Sequence, residues 1–194
     1  MTDFRLPISP SSYTLVPLIH QHAFVASNRN LSRGLLGGSR YSLQIQWKNL
    51  DGDMRRQVEG ILEVAGIAGN SVLVHMKDDL GYEAPKAKAT TSALAKAGST
   101  SIAATISTAS LPAMALLAHS GRLYRSTLGL PVGAGTIHTS WQLRKDIPAG
   151  AELEIGNPIV RMVATPGTTP TSPVTGRRYG RLHGPSSVDL VEAT

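Results

Sequence analysis

The sequence predicts a mainly β protein, an all-β sheet or barrel with one amphipathic helix lying on it. Three observations predict this. Arg40–Lys48 alternates apolar and polar residues, residues 53–66 switch to a helical period, and turn signals recur about every ten residues from Gly121 onward.

The alternation is the strongest local signal. Tyr41, Leu43, Ile45 and Trp47 are interleaved with Ser42, Gln44, Gln46 and Lys48. Successive side chains of a strand point to opposite faces, so this segment predicts one face in a core and one polar face. The following segment carries Met54, Val58, Ile61, Leu62 and Ala65 at spacings of three and four, which is one stripe of a helix over about 53–66. Asp51 or Asp53 suits its N-cap, and Gly66 and Gly69 suit its end.

Before these elements, residues 1–12 read as extended, Tyr13–Ile19 as a strand whose Pro17 suits a sheet edge, and His22–Ala26 as a continuation of that pairing. Asn28–Gly38 reads as loop. After the helix, Val72–Met76 is a short strand and Asp78–Lys88 a polar loop. Residues 86–110 are rich in Ala, Ser and Thr; a short helix around Lys86, Lys88 and Lys96 is open, and Thr100–Ser107 fits a strand. Arg122–Leu130, Thr136–Leu143, Ala151–Ile155 and Ile159–Ala164 are read as strands, separated by turns at Gly133–Gly135, Asp146–Gly150 and Gly156–Pro158. Thr165–Gly176 is a Pro/Thr/Gly linker, and Ser187–Ala193 alternates once more as a terminal strand that either returns to its own sheet or reaches a neighbour. The organisation expected is a β-rich domain over 1–165, then a linker and C-terminal arm over 166–194. No internal repeat is apparent.

Composition narrows the function classes. Charged residues are only 16 % of 194, below the roughly 25 % of an ordinary domain, so the surface suits burial against other subunits. Aromatics are 5 %, which leaves few platforms for stacking bases or sugars. The net charge of +6 is scattered, apart from Arg177, Arg178 and Arg181. Cysteine is absent, which excludes disulfides and Cys-ligated zinc. MTDFRLPISP lacks an apolar run behind a basic start, and no stretch approaches the roughly 18 apolar residues of a membrane span, so a soluble chain assembled in a cytoplasm is expected.

No constellation of residues nominates an enzyme, a cofactor or a metal. His20 and His22 share one face of an extended segment but lack further ligands. Asp51-Gly52-Asp53 opens like a calcium loop, yet the later ligand positions fail, and capping explains both carboxylates. Arg33–Arg40 is glycine-rich but precedes a strand rather than a helix, unlike a phosphate loop. Asp78, Asp79 and Glu83 lie in a polar loop, and adjacent aspartates point apart. His119-Ser120 lacks the nucleophile-elbow glycines. Asn30-Leu31-Ser32 fits a glycosylation acceptor without any sign of secretion. Arg177, Arg178 and Arg181, with Tyr179 among them, remain as contacts for nucleic-acid phosphate or for acidic groups of a neighbouring subunit.

The order of features carries a resemblance. Gly37-Gly38-Ser39-Arg40-Tyr41 enters the alternating strand; the helix and Val72–Met76 follow. Then come Gly98–Ile102, Gly121-Arg122-Leu123-Tyr124-Arg125, the run Trp141–Leu153, Asn157–Met162 and Ser187–Glu192. This series resembles the distal tail proteins of long-tailed bacteriophages and gene-transfer particles, over about residues 35–192. It departs from them at Trp141-Gln142-Leu143-Arg144, where Pro-Pro-Leu-Arg is usual, at Ser120-Gly121, where Gly-Asp is usual, and in its long Thr/Pro linker. The resemblance implies a β-sandwich-like belt domain with a helix on it, forming a homo-hexameric ring between the tail tube protein and the tail-tip hub, with DNA passing through its lumen. The expected location is the virion tail and the expected role structural, not enzymatic. Two other readings stand beside it: another virion tail component such as a tube, connector or adaptor protein, and a basic nucleic-acid-binding module.

Overall fold

A computed structural model of the chain describes residues 2–6, 12–18, 21–25, 31–35, 40–47, 52–65, 70–76, 87–164 and 186–193. Among the described residues the fold is mainly β, with two six-stranded sheets, one two-stranded sheet and one helix. Contacts divide the chain into two compact units. The first comprises Met1–Val16, Tyr41–His75 and Ile159–Thr194; the second comprises Pro17–Arg40 and Met76–Pro158.

The first unit is built on β1 (Thr2–Arg5), β2 (Ser12–Leu18), β5 (Arg40–Trp47), β6 (Asn70–His75), β13 (Ile159–Ala164) and β14 (Ser186–Glu192), in the spatial order β1-β6-β13-β14-β5-β2. β1 runs parallel to β6, and β6, β13, β14 and β5 are successively antiparallel. Register explains which residues share a face. Leu43 lies opposite Leu190, Leu190 opposite Ala164, Ile45 opposite Val188, and Val72 opposite Met162. All of these are buried, so the alternation read at Arg40–Lys48 continues across the sheet as one apolar face. Pro17 does sit on an edge strand, β2.

The helix α1 (Gly52–Ala65) lies against β1, β6 and β13 and buries Val58, Leu62 and Ala65. Its start falls one residue before the expected 53, so Asp53 sits in the first turn and pairs with Arg56 at 2.7 Å rather than capping. Asn70 closes the other end: its Nδ2 donates to the Val64 carbonyl at 2.9 Å, satisfying a last-turn acceptor. On the apolar face of β14, Glu192 is almost fully buried, and its Oε2 accepts from the Tyr41 amide at 3.2 Å.

The second unit contains β7 (Lys88–Thr91), β8 (Ser101–Ser107), β9 (Leu116–His119), β10 (Arg122–Arg125), β11 (Gly133–His138) and β12 (Glu152–Ile155), in the order β10-β9-β12-β7-β8-β11. This sheet curls until its outer strands meet. Ser126, just after β10, bridges to Thr139, just after β11; Thr127 N donates to His138 O at 2.8 Å and Ser140 N to Arg125 O at 2.9 Å. Curling accounts for the composition of residues 86–110. Ala87, Ala89, Ala95 and Ala104 point into the same core as Ile102, Ile106, Leu117, Ile137, Leu143, Ile147 and Leu153, and a narrow interior needs small residues among large ones. The short helix left open around Lys88 is therefore a strand. Gly133–Gly135, expected as a turn, belongs to β11: a Cβ on Gly135 would stand 2.7 Å from a Leu130 methyl, so the glycine permits a close approach inside a strand. The strand expected over Arg122–Leu130 stops at Arg125, where the chain leaves the β9 pairing for the seam.

One turn shape recurs three times in this unit. Lys96–Ser99, Pro112–Ala115 and Pro148–Ala151 each follow a bridged residue, Ala95, Leu111 and Ile147. Their third residues, Gly98, Met114 and Gly150, lie at φ 86°, 63° and 77°. Leu111-Pro112-Ala113-Met114-Ala115 and Ile147-Pro148-Ala149-Gly150-Ala151 thus form a short repeat that the sequence reading passed over. The third copy is held by Thr91, whose buried Oγ1 donates to Pro148 O at 2.6 Å and accepts from Ala151 N at 2.8 Å. Thr91→Val keeps the shape and removes both bonds, leaving Ala151 N and Pro148 O only their long 3.4 Å contact with each other. It is expected to cost about 1–3 kcal/mol, read as a lower midpoint in thermal unfolding.

Between β2 and β5 the chain forms a separate two-stranded antiparallel sheet, β3 (Gln21–Val25) and β4 (Leu31–Leu35). β4 corrects the loop expected over Asn28–Gly38. The partition at 165/166 also differs from the one that contacts draw. Residues 76–158 are an insertion between neighbouring strands β6 and β13, and β14 lies between β13 and β5 of its own chain. The Thr/Pro-rich run marks a connection within the first unit.

Candidate assembly surface

The second unit exposes large apolar side chains where the β10–β11 connection meets the β8–β9 connection. Leu111 and Leu130 bridge there, each donating its amide to the other's carbonyl at 2.8 and 2.9 Å. The approach depends on Gly129, where a Cβ would stand 3.1 Å from Leu111 O and 3.3 Å from Ala113 N, both backbone atoms. Leu128, Val132 and Met114 stand out from the two paired loops with relative exposures of 63 %, 59 % and 43 %, flanked by exposed Pro112, Ala113 and Pro131. Single exposed apolar residues are ordinary; several on adjoining loops form a crest suited to burial against another protein surface.

Met114 sharpens this. The other two turns of its shape carry glycine at the same place, where an L side chain is strained by roughly 1–2 kcal/mol. The chain keeps a long apolar side chain in the one turn whose third residue stands on the crest. Strain retained at an exposed position points to use of the side chain rather than to packing.

The first unit presents a polar counterpart. The sheet face opposite its apolar face carries Ser42, Gln44, Gln46, Asp189, Asp3 and Arg161. Gln44 Nε2 donates to Asp189 Oδ1 at 3.1 Å, and Ser42 Oγ to Leu190 O at 3.3 Å. Arg161 grips Asp3 with two bonds, 2.9 Å from Nε and 2.7 Å from an Nη, while the Ser71 hydroxyl also donates to Asp3. The Arg161 and then the Ser71 hydrogen bonds hold the Asp3 carboxyl below its ordinary value, against a smaller opposing effect of desolvation. A depressed folded-state value contributes stability above the unfolded value of 3.8 and loses it as pH falls through the folded value. The β1 edge is therefore expected to loosen below about pH 4, and Asp3→Asn to remove that acid dependence. The pair is partly exposed, so the effect is under about 1 kcal/mol; amide exchange of β6 against pH measures it.

The other sequence candidates distribute as follows. Arg177, Arg178 and Arg181 lie outside the described residues, as do His20, Asn30, Asp51, Asp78, Asp79 and Glu83. His22 is on β3, and Arg33 on β4. Ser120 is a turn residue: with Gly121 it forms a two-residue hairpin at φ 52° and 76°, the paired positive φ of a type I′ turn, and its neighbour His119 faces Glu152 O at 3.4 Å. Among the described residues, no group of three or more His, Asp or Glu side chains gathers as metal ligands. The crest was legible only as the apolar letters of Leu111–Ala115 and Leu128–Val132; their adjacency comes from the Leu111–Leu130 bridge. No family model matches the sequence, and no curated protein matches it.

Proposed function

We propose that this chain is a structural subunit of a virion tail tip, a ring component of the distal-tail kind that joins the tail tube to the hub. The observation that carries the reading is the ordered motif series, which spans both units: it enters at β5, runs through β10 and the turn before β12, and ends on β13 and β14. A mainly β fold with one helix on a sheet supports it, and so does an apolar crest suited to contacts between proteins. Ring closure from identical chains needs two different, complementary surfaces on each. In this reading the crest is one of them. Mass measurement and imaging of the purified chain test it: rings of six copies are expected, and a monomer at every accessible concentration overturns it.

The crest is testable by substitution. Leu128→Asp with Val132→Asp is expected to abolish self-association, measured by light scattering, with the melting temperature unchanged. Met114→Gly is expected to weaken association while raising stability by up to about 1 kcal/mol, because it relieves the positive φ. A purely structural Met114 gives the second effect without the first.

A further inference from the structure

The outward face of the first unit's sheet is not polar throughout. An antiparallel sheet with one face in a core and one in water alternates apolar with polar residues. β5 does so, turning Ser42, Gln44 and Gln46 outward. β13 does not. Its inward residues Val160, Met162 and Ala164 are buried, and its outward residues are Ile159, Arg161 and Val163. The neighbouring strands continue the departure. Val191 of β14 lies opposite Val163, and Leu73 of β6 lies opposite Arg161. Leu73, Ile159, Val163 and Val191 are all half-buried, so they form an aliphatic strip that still reaches the surface.

The charges beside this strip are already engaged. Arg161 reaches past β6 to hold Asp3 on β1, and Asp189 of β14 accepts from Gln44 on β5. The face therefore has an aliphatic centre on β6, β13 and β14 and polar flanks on β1 and β5. An apolar centre inside a polar rim is the anatomy of a protein–protein contact.

The crest of the second unit is what such a face can accept. Its two loops and their continuations, Thr108–Ala118 and Ser126–Ile137, contain no Asp, Glu, Lys or Arg. A surface without charges brings no countercharge, so it suits a face whose own charges are satisfied; a free charge covered by it would lose its water uncompensated. The bridge between Leu111 and Leu130 pairs the amide and carbonyl of each, so drying the crest orphans none of these groups. Leu128, Val132 and Met114 supply the exposed apolar side chains, and the unbranched Met114 adapts to an irregular partner. We infer that the crest of one copy docks on the strip of Leu73, Ile159, Val163 and Val191 in the next copy. The inference rests on the ring-subunit reading for the presence of a second copy, and it names the complementary surface that reading requires. Crest and strip are different surfaces of the chain, so the contact is head-to-tail, and its repetition closes a ring or extends a fibre.

Complementation between two variants of the full chain tests this. Leu128→Asp with Val132→Asp disables the crest and leaves the strip. Val163→Lys with Val191→Glu disables the strip and leaves the crest; the two positions are direct register partners, so the new charges pair across the strands of the free subunit. Melting temperature and Trp47 fluorescence check that each variant is folded. Neither variant is expected to assemble alone. Mixed, they are expected to form a pair holding one chain of each kind and nothing larger, read by native mass measurement, because one working crest meets one working strip. A folded strip variant that assembles like the unaltered chain overturns the inference and leaves the ring reading standing. Two variants that stay monomeric when mixed overturn it as well, and an unaltered chain that is monomeric at every accessible concentration overturns both. Should the charged pair unfold the sheet, Val163→Thr with Val191→Thr keeps valine's shape and strand preference while placing two hydroxyls under the docked crest. That variant is expected to self-associate at least about tenfold more weakly at unchanged melting temperature, because the covered hydroxyls lack partners. Unchanged association overturns the inference.

Discussion

Truncation before Ser186 is expected to unfold the first unit. β14 is central, pairing with β13 on one side and β5 on the other, so its loss opens two ladders at once. Val188 and Leu190 are buried, and together their burial stabilises by about 3–6 kcal/mol. Loss of β14 also uncovers Leu43, Ile45, Met162 and Ala164, its neighbours on the same face. Together these losses are comparable to the whole stability of a domain, about 5–15 kcal/mol. Trp47, 1 % exposed and opposite Ser186, reports the event: its fluorescence is expected to shift to that of an indole in water. Leu190→Asp, which keeps the chain length, is expected to do the same. A C-terminal arm reaching only to a neighbour would leave the monomer's Trp47 signal unchanged, so the experiment separates the two roles left open for this strand.

Leu117→Ala is expected to cost about 3–5 kcal/mol in the second unit, near the upper end for such a change. Leu117 is fully buried in the curled sheet, and its neighbours Leu116 and Ala118, which point the other way along β9, are buried too. With both faces of the strand covered, β9 cannot shift to fill the cavity, and the cost of a cavity depends on how far its walls can relax. A fall in melting temperature of about 15 °C or more is the measurement. Leu117→Met, which conserves volume, is expected to cost less than about 1.5 kcal/mol.

What was legible in the sequence follows from how each strand is buried. β5, β13 and β14 have one apolar face, and their alternation announces it; the alternation of Ile159–Ala164 matches both ends of β13. β9 is buried on both faces, so Leu116-Leu117-Ala118 shows no period of two and nothing in the sequence marks it as a strand. β1 is four residues with one apolar side chain, and its partner lies nearly seventy residues away in the chain. Pairing at that separation leaves no local trace. The division into two units was hidden for the same reason: it depends on β6 meeting β13 across the whole insertion. The crest's letters were visible, but the bridge that unites its two loops joins residues too far apart to be read from spacing.

The central place of β14 has a consequence for the order of events at the ribosome. Chains emerge from the N-terminus, and domains tend to fold as their residues become available. Every strand of the curled sheet lies before Gly156, so the second unit is complete while the final segment is still being synthesised. The first unit has to wait. Until Ser186–Glu192 appears, β13 has β6 on one side only and β5 has β2 on one side only, and the two halves of the sheet are not joined. The inserted unit therefore matures while the first unit is still open, and the appearance of Ser186–Glu192 is the step that closes its sheet.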